Sequence, residues 1–308
     1  MLTVTTCAPT RRLTSVPAVV AELGQSLTTD EQGILASIID AVTSAIESFC
    51  EAPSFAREAI SETLRGYGET TIELTRRPVL SVSLMTLDSE AITDFEIEDA
   101  DFGRIYRRAG FGWTAQSRFS LGGRSSWLGY GHPVPGSEEP QIGATYVGGY
   151  ILPEQFLVSV ATLSVVSADQ SFNAPAGTFP AMLKGGDTLI VSGFTNPLNN
   201  GRFVVAASPA PTTSKVVVSG AALVTESAAA GRSMRFDAPA HCRSLAALER
   251  AAIISSRAAW LTRADDPSVI ERQVAQLRTR KSEGFNQDPL LALPGEAIGY
   301  LRPWMRSA

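Results

Sequence analysis

Between Pro153 and Asp237 the chain switches to short runs rich in β-branched residues: "FLVSVATLSVV", "DTLIVSG", "RFVVAA", "KVVVSG" and "ALVT". β-Branched side chains suit a pleated surface and lose rotamer freedom in a helix. The runs are separated by turn signals such as Asn199-Asn200-Gly201. Five or six short strands over about 80 residues predict a small barrel or sandwich. Inside it, "TLIVSGFTNPLNNGRFVVAAS", Thr188 to Ser208, reads as a β-hairpin.

The most regular signals on either side are helical. "TTDEQGILASIIDAVTSAIESFC" places Ile34, Leu35, Ile38, Ile39, Val42, Ile46 and Phe49 on one stripe at helical spacing. Thr28 and Glu31 have capping-box spacing, and Pro53 lies beyond the last turn. A shorter helix is predicted over 15–25, with Ser15 as cap, Pro17 in the first turn and Gly24 near the end. Downstream, Leu245, Leu248, Ala252, Ile253 and Trp260 repeat the helical stripe. "DPSVIERQVAQL" follows, with Asp266 as N-cap and Pro267 in the first helical position.

From Ala59 to Arg108 the pattern alternates in short runs broken by Gly, Pro and Asp, which predicts a small antiparallel sheet. In "TTIELT", Ile72 and Leu74 share a face; in "VLSVSLMTL", Leu80, Val82 and Leu84 do. Residues 109–141, rich in Gly, Ser and Pro, read as a long loop, and "IGATYVGGY" as one more strand. The expected fold class is therefore α+β: a helical core with a small antiparallel sheet, plus an inserted all-β barrel or sandwich. The expected divisions are 1–153 with 237–290 as the core, 154–236 as the insertion and 291–308 as a C-terminal arm.

The formal net charge of −5 hides an asymmetry. Residues 1–153 carry 11 basic and 19 acidic side chains, a balance of −8, whereas 243–308 carry 10 and 7, a balance of +3. No concentrated basic stripe marks a nucleic-acid interface. No apolar run nears the roughly 20 residues that span a bilayer, so no membrane partner is expected. The start, "MLTVTTCAPTRRL", has no signal-peptide pattern. The cysteines, Cys7, Cys50 and Cys242, are few and far apart, which argues against a disulfide framework.

No catalytic constellation assembles, and no catalytic, cofactor or metal site is expected. His132 lies in "GYGHPVPG", whose glycines have the wrong spacing for a dinucleotide fingerprint. His241 beside Cys242 precedes a helix with no partner residues nearby in sequence, which favours a structural role. Zinc-ligand spacing, a phosphate loop and a nucleophile elbow are all missing. The acidic clusters Glu96–Asp101 and Glu138-Glu139 read as charged turns on solvated edges. Arg76-Arg77 and Arg107-Arg108 are expected to flank strands on solvated or intersubunit faces.

With 154–236 set aside, "TYVGGYILP" runs directly into "DAPAHCRSLAALERAAIISSRAAW". That order of pieces resembles the head–tail adaptor (connector, neck) family of tailed phages. The helix at Thr28–Cys50, "ETLRGYGETTIELTRRPVLSVSLMTLDSEAITDFEIE", "GRIYRR", "ATYVGGYILP" and Leu245–Leu261 carry it, "RRPVLSV" at Arg76 to Val82 most of all. The insertion resembles a small β-domain that recurs in phage structural proteins, on "GDTLIVSGFTNPLNNGRFVVAAS" and "ALVTES". The resemblance implies a non-enzymatic virion protein at the neck, assembled in the host cytoplasm. It implies a homo-oligomeric ring of twelve subunits that contacts the portal and a stopper or tail-completion protein. Genomic DNA would pass without sequence readout.

The arm "LPGEAIGYLRPWMRSA" is too short for a core of its own and too apolar for a free terminus. By the resemblance it would dock onto the portal through Leu293, Ile298, Tyr300, Leu301, Arg302, Trp304, Met305 and Arg306; docking on its own body is the alternative. Two other functions stay open at this level: a tail accessory or adhesin that binds through the β-module, and a hydrolase with a β-barrel cleft.

Overall fold

In a computed structural model the described residues are 1–65, 69–111, 141–263 and 293–305. They divide into two compact units, Met1–Ala8 with Arg57–Gly149, and Pro9–Ala56 with Tyr150–Ala308.

Among the described residues the first unit is all β. Its larger sheet runs β1 (Leu2–Thr6), β2 (Glu58–Arg65), β8 (Gln141–Gly148), β4 (Val79–Leu87), β5 (Glu90–Ile92), all antiparallel. A second sheet joins β3 (Thr71–Glu73), β7 (Arg104–Tyr106) and β6 (Glu96–Asp99). Ile142, Ala144 and Tyr146 of β8 alternate into the core with Ile60 of β2. On β4 the expected Leu80–Val82–Leu84 face does not form. Irregularities between Val79 and Ser81 and between Val82 and Leu84 each add a residue, so Val79, Val82, Met85 and Leu87 face the core. Leu84 is left 47% exposed.

The opposite face of this sheet is read off the same register. One row is Thr3–Ser61–Thr145–Leu84, and the next is Thr63–Gly143–Thr86–Ala91. None of these eight residues is charged.

Among the described residues the second unit holds four α-helices and the β-module. Helix α1 (Val16–Leu23) starts at Ser15, whose side chain accepts from the Ala18 amide, and ends at left-handed Gly24. Helix α2 (Thr29–Phe49) has both halves of the Thr28/Glu31 capping box. They pack with α3 (Ala246–Arg263), burying Val19, Leu35, Ile39 and Trp260 together. Helix α4 (Gly295–Leu301) lies on α3.

The module is a seven-stranded antiparallel sheet in the order β10 (Ser164–Val166), β11 (Ser171–Asn173), β14 (Lys215–Ser219), β13 (Gly201–Val205), β12 (Thr188–Ser192), β15 (Arg232–Asp237), β9 (Leu157–Val160). Strands β12 and β13 pair from Thr188↔Val204 to Val191↔Gly201, the hairpin expected from the sequence. Val165, Phe172, Leu189, Val205, Val216, Met234 and Phe236 share one buried cluster, so the sheet curls around a single core.

The expected helical core is overturned. Among the described residues there are fifteen strands in three antiparallel sheets against four α-helices. Amphipathic stripes identify helices well because three or more turns repeat one signal. Strands of three to six residues repeat too little to register: β1, β11 and β15 carry no run that stood out. Residues 112–140 and 264–292, and with them the expected loop, His132, Glu138-Glu139 and the helix after Asp266, lie outside the described residues.

Candidate interaction surfaces

The stretch that carries most of the resemblance, Arg76 to Val82, is anchored inside the first unit. Arg76 is 2% exposed and forms an ion pair with Glu58, which is fully buried. This corrects the expected solvated placement of Arg76. The Arg76 amide donates to the Tyr146 hydroxyl at 3.0 Å, and that hydroxyl donates to Glu62 Oε2 at 2.7 Å. Glu62 also accepts from the Thr75 amide at 3.0 Å and from the Thr75 hydroxyl. Burial, with the Glu62 carboxylate beside it, pushes the Tyr146 phenol up from its ordinary value. The β2 register places Glu58 opposite Gly148, where a Cβ would stand 2.9 Å from the Arg76 carbonyl oxygen. Glycine is what lets the Thr75–Pro78 turn lie against β8. Buried charges persist only when paired and hydrogen-bonded, so Glu58, Glu62, Thr75, Arg76 and Tyr146 act as one structural lock.

A second lock sits in the module, and it joins the two stretches singled out by resemblance. Glu226, from "ALVTES", accepts from the Thr195 amide at 2.9 Å, the Asn196 amide at 3.2 Å and Asn199 Nδ2 at 3.1 Å, all from "GFTNPLNNG". Arg232 Nη2 donates to the same carboxylate at 2.7 Å. The Thr195 amide first, then Asn196, Asn199 and Arg232, hold the Glu226 carboxyl down at about 2. The buried Arg232 guanidinium lies 4.1 Å from the Phe194 ring centroid and also donates to the Leu163 carbonyl. Asn199 pairs with both backbone groups of Val224, at 2.8 and 2.9 Å, and Asn200 with both of Phe194, at 2.8 and 2.9 Å. Gly193, at φ 90°, lies against Gly231, and a Cβ there would overlap the Gly231 carbonyl. The β12–β13 turn is thus held at both ends, and it displays Leu198, 56% exposed, beside Val224. The backbone of Glu226 pairs with Val165, covering the β10 edge.

The module's exit is tied to the helices. Asp237 Oδ1 accepts from the Leu245 amide at 3.0 Å and Oδ2 from the Ser244 hydroxyl at 2.6 Å. Arg235 pairs with Glu249 of α3 and lies over the Phe156 ring. At the entry, Arg12 bridges Asp40 of α2, at 2.6 and 2.8 Å, and Glu154, at 2.9 Å. The Arg12 hydrogen bonds hold the Asp40 carboxyl below its ordinary range.

The arm residues separate into two groups. Leu293 and Leu301 are buried in the second unit, with Ala297 between them. Trp304 makes edge contacts with Phe55, 6.0 Å, and Tyr150, 5.6 Å, between centroids, and Arg243 stands 5.9 Å from its ring. Ile298 is half-buried; Tyr300, Arg302 and Met305 are exposed, and Arg306 lies outside the described residues. His241 is exposed in the turn before α3. Glu96 and Glu98 are exposed, while Asp99 Oδ1 accepts from the amides of Asp101 and Phe102 at 2.9 and 3.2 Å. Among the described residues no group of three or more His, Cys, Asp or Glu side chains is placed to hold a metal ion.

Sequence reasoning missed both locks. The signal for the second was present: a lone Glu after an apolar run, and Asn residues in a turn whose side chains bond local backbone. The signal for the first was a pair of carboxylates, Glu58 and Glu62, at core-facing strand positions.

No family model and no curated protein matches the chain. Two solved structures do. One is the neck of an empty gene transfer agent (GTA) particle computed with C6 symmetry, 16% identical, over 50% of this chain and 76% of that chain, with a TM-score of 0.33. The other is the virion of a native gene transfer agent particle, 17% identical, over 50% and 77%, with a TM-score of 0.31.

Proposed function

We propose that the chain is a non-enzymatic structural protein of a tailed-phage-like particle: a head–tail adaptor, of mostly β build, that forms a ring between the portal and the next neck component. The observation that carries this reading is the order of pieces along the sequence, from the capped helix at Thr28 through "RRPVLSV" and "ATYVGGYILP" to the helix from Leu245. The part of the arm that stays outside the core, Tyr300, Arg302 and Met305, supplies the portal contact in this reading. Tyr and Arg combine large contact area with a polar handle, the property of binding hot spots. DNA passes through without sequence readout, in keeping with the acidic balance of the first 153 residues.

The test is genetic and structural. Particles made without this chain should stop as untailed heads, and a tagged copy supplied in trans should restore tails and label the head–tail junction. Normally tailed particles in its absence overturn the proposal. One observation favours a second reading, an accessory protein that binds through the module: the clamped turn that displays Leu198 and Val224. Leu198→Asp separates the two, because it would abolish partner binding in the second reading and leave tail joining intact in the first.

A further inference from the structure

The outer face of the β1–β2–β8–β4–β5 sheet is unusual in its chemistry. A soluble surface carries roughly a quarter to a third Lys, Arg, Asp and Glu, so about two or three charges are expected on the two rows that end at Leu84 and Ala91. There are none. Thr3, Ser61 and Thr63 are exposed, Thr145 and Thr86 are half-exposed, and Leu84 projects from the second irregularity of β4. The edge of the same sheet is equally bare. Strand β1 is "LTVTT", with no Lys and no Pro, and among the described residues it pairs only with β2. Exposed edges of stable monomers are normally blunted by such residues.

The charge of the rest of the chain says what fits there. The net charge is −5, and −8 over the first 153 residues. Two copies of this acidic chain carry like net charge, most of it on the first 153 residues that hold this sheet, and like charges brought together at an interface cost several kcal/mol. These rows without a charged side chain, bounded on β2 by Arg65 in the next row, are where identical acidic copies approach at least cost. We propose that this face, with its β1 edge, is where one copy of the chain packs against another. The inference rests on the ring reading but names a surface that the reading does not.

The test uses the purified full chain and measures its oligomeric state by light scattering across a concentration series. Ser61→Glu and Thr145→Glu should each raise the dissociation constant of self-association at least tenfold. The neutral, equal-sized Thr145→Val should leave it unchanged or lower it. Circular dichroism and the thermal midpoint of each variant control for folding; Ser61, on a solvent-exposed site, keeps the test valid if a central-strand variant fails to fold. Unchanged association in Ser61→Glu overturns the proposal while leaving the ring reading intact. A wild-type chain that stays monomeric throughout the series also overturns it; if Ser61→Glu then loses particle incorporation, the face belongs to a different virion protein.

Discussion

Removing the Glu58 carboxylate is the most direct perturbation of the first unit. Glu58 and Arg76 are 0% and 2% exposed and paired. In Glu58→Gln the shape is kept and one charge is lost, leaving the Arg76 guanidinium buried without that carboxylate. Breaking a buried pair from one side costs about 3–5 kcal/mol, because desolvation of the remaining charge is no longer offset. The unit has about a hundred residues, for which 1 kcal/mol moves the midpoint by roughly 4–8 °C. The expected fall is therefore at least ~12 °C, a large part of a typical total stability of about 5–15 kcal/mol. Thermal and urea unfolding followed by circular dichroism measure it. The double variant Glu58→Leu with Arg76→Met removes both charges and should recover most of the loss, since apolar replacements of a whole buried pair are often neutral. A single-variant loss below about 1 kcal/mol, as for an exposed pair, would refute the reasoning. So would a double variant as unstable as the two singles added together, because the pair would then not be the source of the cost.

The other expectations concern the second unit. Gly193→Ala should destabilise the module by about 1–3 kcal/mol, from its left-handed backbone and the overlap with Gly231; a neutral result in thermal unfolding contradicts the close approach. Acid should loosen the β12–β13 turn. The Glu226 carboxyl is held at about 2, below its ordinary 4.5, so the stability it supplies is complete above pH 4.5 and is lost as pH falls toward 2. Glu226→Gln should flatten that part of the stability–pH profile, and an unchanged slope rules out the clamp as its source. Leu301→Ala should cost about 2–5 kcal/mol, as for a buried leucine. Tyr300→Ala and Met305→Ala should leave the midpoint in place while reducing attachment to portal-containing heads. If Leu301→Ala proves neutral, the arm is not part of this chain's own core.

Much of the local structure was legible in the residues. Ser15, Thr28 with Glu31, and Gly24 mark helix ends because capping is a bond between neighbours a few residues apart. Of the stripe read on α2, Leu35, Ile39, Val42, Ile46 and Phe49 form its buried face and Ile38 is half-buried, while Ile34 is left 44% exposed. The Thr188–Ser208 hairpin follows from two apolar runs around an Asn/Gly turn. What stayed hidden depends on partners far along the chain. The register of β4 was misread because two irregularities, set by pairing with β8 some 60 residues away, shift which side chains face inward. Arg76 read as a surface cation because nothing nearby in sequence shows that Glu58 is buried opposite it. The arm read as docking onto the portal, with its own body as the alternative; that Leu293 and Leu301 are buried in this chain's own second unit is decided by packing of the arm helix against α3. Helix caps and stripes are short-range and additive, so the sequence by itself determined them. Sheet register, buried ion pairs and the balance of strand over helix are long-range and cooperative, and only the tertiary structure decided those.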